Sequence, residues 1–122
     1  MSNAPLMILI AGPYRSGTND DPALMAANLG RLEAVSYDLF RAGHIPMIGE
    51  WVALPIWRVA GGQRVGDALY DAILHPTAHR LLSRCDAVLR LAGASIGADN
   101  DVKIALERGI PVYYRLEDVP SA

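Results

Sequence analysis

Residues 91–112 read LAGASIGADNDVKIALERGIPV. An apolar strand end runs into a loop of small residues, and a helix then opens on acidic side chains and closes at Gly109. Glycine just past the last helical turn, with Pro111 two residues on, is a helix stop followed by a fresh strand. A buried strand, a small-residue turn, a helix and another apolar strand in so short a span are the signature of a parallel α/β unit. Two readings of the turn stay open. Ser95, Gly97, Asp99 and Asp101 either hold a polar small molecule, or the carboxylates simply cap the helix and offset its dipole.

Upstream of this unit the same alternation recurs. Leu6 to Ala11 is an unbroken apolar run, as expected of a central strand covered on both faces. It breaks at Gly12-Pro13-Tyr14-Arg15-Ser16-Gly17, a turn rich in glycine and hydroxyl groups. Asp21 as N-cap and Pro22 at the first helical position then start a helix. Met25, Leu29, Leu32, Val35 and Leu39 follow at helical spacing as far as Gly43. His44 to Ile48 reads as a second strand, placed at an edge by Pro46. The segment Glu50 to Trp57 fits a lid, a subunit contact or plain core. A helix is expected over 64–74, with Pro76 restarting it as a second helix to Arg84. Asp86 to Leu91 is the third strand, the last helix spans about 99–108, and Pro111 to Tyr114 is the last strand, followed by a tail from Glu117. Strands alternating with helices predict a single-domain, three-layer, flavodoxin-like or Rossmann-like α/β fold with a parallel sheet of about four strands in the order 2-1-3-4. In that order the loops Gly12–Gly17 and Gly93–Gly97 flank the topological switch point, where open parallel sheets bind ligands.

Composition bounds the function. The chain has 122 residues, one domain's worth over 1–122, with 52% hydrophobic residues and a mean hydropathy of +0.19. No apolar run approaches the roughly 20 residues that cross a bilayer, so the apolar surplus points to a buried sheet or a homo-oligomer interface. With 11 basic against 13 acidic residues and a net charge of -2, the chain is not built to neutralise the phosphates of a nucleic acid. Cys85 is the single cysteine, read as a core thiol, and a reducing cytoplasm is the expected location. The start lacks a secretory pattern, and Ser2-Asn3-Ala4 reads as an arm or a cloning remnant.

The candidate binding residues gather in the predicted crevice. The first loop offers backbone N–H groups, the Tyr14 ring, the Arg15 guanidinium and the Ser16 hydroxyl to phosphate or sugar oxygens, unless it is an ordinary strand-to-helix turn. It carries neither a P-loop nor a dinucleotide fingerprint. Glu50 lies just past the second strand, ready to bond ligand hydroxyls or to stand solvated. Trp51 and Trp57 suit base stacking, core or interface. Arg90 is read as the partner of a loop carboxylate. His75 and His79 share a helix face with Asp71, a spacing that lacks a further metal ligand, and no metal or cofactor is expected. Asp101 is the candidate carboxylate for attack or general base catalysis at an anomeric carbon.

The stretches IAGPYRSG after the first strand and SIGADNDVKIALERGIPV near the end resemble the nucleoside 2-deoxyribosyltransferase superfamily. The resemblance covers most of the chain in element order, with motifs at its two ends. It implies an oligomeric flavodoxin-like enzyme that acts on the N-glycosidic bond of nucleosides or nucleotides, as a deoxyribosyltransferase or an N-glycosidase, through a carboxylate that forms a glycosyl-enzyme. It puts Asp101 where the family has its glutamate, one methylene shorter. Another acidic position of the family falls near Ala78, which has no functional side chain. These two departures favour an alternative, a non-catalytic nucleotide-like ligand sensor of the same fold; a third reading is a scaffold acting through the Trp51–Trp57 segment.

Overall fold

The apolar run that opens the chain has both strand edges to satisfy, and it does so in the centre of the sheet. In the computed structural model, which describes residues 4–122, β1 (Met7–Ala11) pairs in parallel with β2 (Ile45–Met47) on one edge and β3 (Ala87–Arg90) on the other. β4 (Val112–Tyr113) adds beyond β3, giving the parallel order β2-β1-β3-β4. The order is the one the element pattern predicts. The arm residues Ser2 and Asn3 lie outside the described residues.

Alternate residues of β1 enter separate cores, as the two-residue period of a strand requires. Ile8 and Ile10 pack with Leu32, Leu39, Ile48 and Leu89 beneath α1 (Pro22–Ala34) and α2 (Ser36–Arg41). Leu9 and Ala11 pack with Val88, Cys85, Leu82 of α4 (Ala68–Leu82) and Ala98 and Ala105 of α5 (Ile96–Arg108). The helices following β1 and β3 therefore cover opposite faces, and a crevice opens between the strand ends. α3 (Gly49–Val59) packs chiefly against α4 beside that crevice.

Several boundaries differ from expectation, each for a local reason. The helix expected from Pro22 to Gly43 is two, because the Ser36 hydroxyl donates to the Glu33 carbonyl at 2.6 Å, a back-bond that bends helices. Its two ends are as read: Asp21 caps Ala23 N–H at 2.9 Å, and Gly43 stops it at φ +95°. The undecided segment from Glu50 to Trp57 is helix α3, with Pro55 inside it. Pro76 likewise sits within one continuous helix, α4, rather than restarting a second. Each proline deprives the carbonyl four residues back of its donor, and the residues concerned, Trp51 and Ala72, lie on the exposed sides of their helices. α4 begins at Ala68 instead of Arg64 because Asp67 accepts from Tyr70 N–H at 2.8 Å and also gathers the Gln63 and Arg64 N–H groups. α5 begins at Ile96 instead of Asp99, since Ser95 Oγ accepts from Ala98 N–H at 3.1 Å.

The tail folds back as a short 3-10 turn, Leu116–Asp118. Buried His44 fastens it, accepting the Leu6 N–H at Nδ1 (3.0 Å) and meeting the Pro120 carbonyl through Nε2 (2.5 Å). Among the described residues no helix is long and apolar enough to cross a membrane.

Leu89 is fully buried where β3 meets the α1–α2 core. Leu89→Ala is expected to cost about 2–5 kcal/mol, transfer and cavity terms together, read as a lower urea midpoint at an unchanged denaturant slope.

Candidate functional site

The crevice at the carboxyl ends of β1 and β3 is a cavity of about 280 Å³. Its floor is apolar, from Leu9, Ile10 and Ala11 of β1, and its walls come from both small-residue loops and from α3, α4 and α5. The two loops touch at their bases. A Cβ on Gly93, whose φ is +120°, would stand 2.7 Å from the Pro13 ring, so only glycine lets the loops close on each other there. Gly12 is similarly confined, with a Cβ landing 2.8 Å from Leu32 Cδ2.

Of the first-loop residues expected to bind, Gly12, Tyr14, Arg15 and Ser16 line the cavity. Pro13 turns to the opposite side, into a shallow groove with Asn28 and Arg31, and Gly17 sits in the exposed turn at φ +75°. Asn28 steadies the loop, its side-chain amide donating to the Tyr14 carbonyl at 2.8 Å. From the second loop and α5, Ser95, Gly97 and Asp101 face the cavity. Asp99 does not; its carboxylate accepts from Arg90 Nη2 at 3.0 Å while remaining largely exposed. Arg90, itself mostly buried, also donates to the Gly93 carbonyl at 2.9 Å and to that of Leu91. It thereby ties the end of β3 to the loop.

The two tryptophans part company. Trp51 points away from the cavity and donates to Glu33 at 2.7 Å. Trp57 is buried, donates to Asp67 at 3.0 Å and meets Tyr70 edge-on at 6.3 Å. Through this contact it positions Tyr70, which does line the cavity.

Glu50, in the first turn of α3, and Asp101, one turn into α5, open onto the same cavity. Burial raises the Asp101 carboxyl, the Glu50 charge raises it further, and the Arg90 guanidinium opposes them only in part, so it is pushed up from the usual 3.8 to about 7. Burial also lifts Glu50 above the ordinary carboxylate range. The phenols of Tyr14 and Tyr70 are raised too, first by burial and next by the Glu50 charge. A carboxyl poised near neutrality in an apolar crevice can give or take a proton at working pH.

Sequence reasoning gave Tyr70 no role at this site, and it weighed Asp71, His75 and His79 only as a metal face. All four line the cavity from α4, as does Ala78. The signal was the helical spacing of Asp71, His75 and His79, which marks one face; only the packing of α4 on α3 and α5 aims that face at the strand ends. Among the described residues no group of three or more His, Cys, Asp or Glu is arranged to hold a metal ion. No protein-family model matches the sequence, and no curated protein matches it significantly.

The raised Asp101 carboxyl makes stability depend on pH in a definite direction. Its folded value, about 7, lies above its unfolded value of 3.8, so the native state holds the extra proton and loses stability as pH climbs between them. Asp101→Asn removes this loss. The variant is expected to match wild type near pH 4 and to exceed it near pH 8 by up to about 4 kcal/mol, measured by urea unfolding at both values.

Proposed function

We propose that the protein acts on the N-glycosidic bond of a nucleoside or nucleotide, as a deoxyribosyltransferase or an N-glycosidase, with Asp101 at the anomeric carbon. The observation that carries this reading is the pair Asp101 and Glu50 in one half-apolar cavity at the switch point, facing the Tyr14–Ser16 loop. The motif resemblance at both ends of the chain supports it. In ionised form Asp101 attacks C1′; the C1′–O bond forms as the C1′–N bond breaks, and the base departs with the electron pair and is protonated by water. Water or a second base then attacks C1′ and frees Asp101. Glu50 bonds the ribose hydroxyls, and Ser16 and the first-loop backbone hold the far end of the sugar. Asp99, engaged by Arg90, takes no part.

One observation favours the alternative, a sensor that binds such a ligand without turnover: Ala78 presents only a methyl group to the cavity where the family pattern calls for a carboxylate. The two readings separate in one pair of measurements. Incubation with a panel of deoxynucleosides and their monophosphates is expected to release free base from at least one of them, and Asp101→Ala to lower that rate by about a hundredfold or more. Thermal stabilisation by the same compounds without any base release would instead mark a sensor, and neither response would end both readings.

Copies of the chain associate, in this reading, through the outer face of α3, where Trp51, Ile56 and Val59 are exposed on one side of the helix. Sedimentation is expected to give a mass above the 13.1 kDa of one chain, and Ile56→Ser with Val59→Ser to return it to that value.

A further inference from the structure

Among the described residues Arg15 is the only lysine or arginine lining the cavity, and the same walls carry Glu50, Asp71 and Asp101. Its guanidinium is already engaged. Nε donates to Asp20 Oδ1 at 2.6 Å and Nη2 to Oδ2 at 3.2 Å, a two-point pairing along one edge of the fork. Asp20 itself does not line the cavity. It stands at φ +59° beside Asn19 at φ +49°, a left-handed turn that non-glycine residues seldom adopt. Thr18 braces the turn, its hydroxyl donating to the Arg15 carbonyl at 2.5 Å and accepting the Asp20 N–H at 3.2 Å. Gly66, at φ +93°, backs the guanidinium from the loop before α4; a Cβ there would stand 2.4 Å from Arg15 Cζ. Arg15 thus lies between two loops, its side chain 40% exposed, with its charge met by a carboxylate outside the ligand's space.

We propose that Asp20 sets the charge selectivity of the cavity, committing it to an uncharged nucleoside and turning away a 5′-phosphate. The inference rests on the N-glycosidic reading and narrows its substrate class. A phosphate monoester brings a charge of about -1.5 to -2 at neutral pH. It would find the edge of the Arg15 fork filled by Asp20, and Asp71, Glu50 and a part-ionised Asp101 on three further parts of the wall. An uncharged sugar meets no such repulsion, and the remaining Arg15 N–H groups and the Ser16 hydroxyl suffice for neutral oxygens.

The test is calorimetric titration of wild type, Asp20→Asn and the double variant Asp20→Asn with Arg15→Gln. The ligands are deoxyadenosine, its 5′-monophosphate, and inorganic pyrophosphate as a bare anion. Asparagine keeps the shape of Asp20 and tolerates its left-handed backbone, so the fold is retained. Wild type is expected to bind the nucleoside about tenfold or more tighter than the monophosphate, and Asp20→Asn to shift that ratio about tenfold or more towards the monophosphate. Pyrophosphate should bind Asp20→Asn saturably, and neither of the other two proteins. A wild type that prefers the monophosphate, or a ratio unmoved by Asp20→Asn, overturns the proposal. If neither the nucleoside nor its monophosphate binds any of the three proteins, the N-glycosidic reading fails and pyrophosphate alone decides. A gain on Asp20→Asn that is lost with Arg15→Gln then upholds Asp20 as the charge gate, and no gain removes it.

Discussion

The pairing of β1 with β2 on one edge and β3 on the other is the constraint from which the site follows. A strand in that position has both faces buried, which only an all-apolar run such as Met7 to Ala11 tolerates. The chain leaving β1 covers one face with α1 and α2, and the chain leaving β3 covers the other with α5. Two connections departing to opposite sides leave a gap between them that no side chain of the sheet fills. The cavity is thus a product of topology, and the loops need only be small enough to let it open. Pro13 lying against Gly93 shows how closely they approach at its base.

Within that gap the electrostatics come from desolvation more than from pairing. Asp101 has Arg90 nearby, yet Arg90 spends its hydrogen bonds on Asp99 and on loop carbonyls, and burial therefore wins over attraction at Asp101. Asp67 is the contrast: the Tyr70 N–H foremost, then the Trp57 indole and the Gln63 and Arg64 N–H groups, hold its carboxyl down to about 2. One aspartate is satisfied and structural; the other is left with protonation as its way to shed charge.

The sheet order was legible because its signals are local: an apolar run of strand length, Asp21-Pro22 at a helix start, Gly109 at a helix end. The two first-turn shifts, at Ser95 and Asp67, were legible in principle, since each is a good N-cap, but stronger-looking acidic or apolar residues nearby competed for the assignment. The helices through Pro55 and Pro76 were not legible. Proline's local penalty argues for a break, and the packing of α3 against α4 that holds both helices together is tertiary. At the site, the switch-point rule pointed to the loops that bring Gly12, Tyr14, Arg15, Ser16, Ser95 and Gly97 to the cavity, whereas Pro13, Gly17, Trp51 and Asp99 lie away from it. Which side of α3 faces inward depends on Trp57 reaching Asp67, and whether Asp99 is free depends on the reach of Arg90. Both are tertiary facts with no counterpart in spacing.

The two cores differ in the size of what fills them. Ile8, Ile10, Leu32, Leu39, Ile48 and Leu89 fill the layer under α1 and α2, whereas α5 meets Leu9, Leu82, Val88 and Cys85 through its two buried alanines, Ala98 and Ala105. A layer of branched side chains accepts exchanges among them by repacking. Alanine at a buried helix–sheet contact leaves no such room, and a methylene added at Ala98 or Ala105 pushes on α5 and on the Asp101 carboxylate it carries.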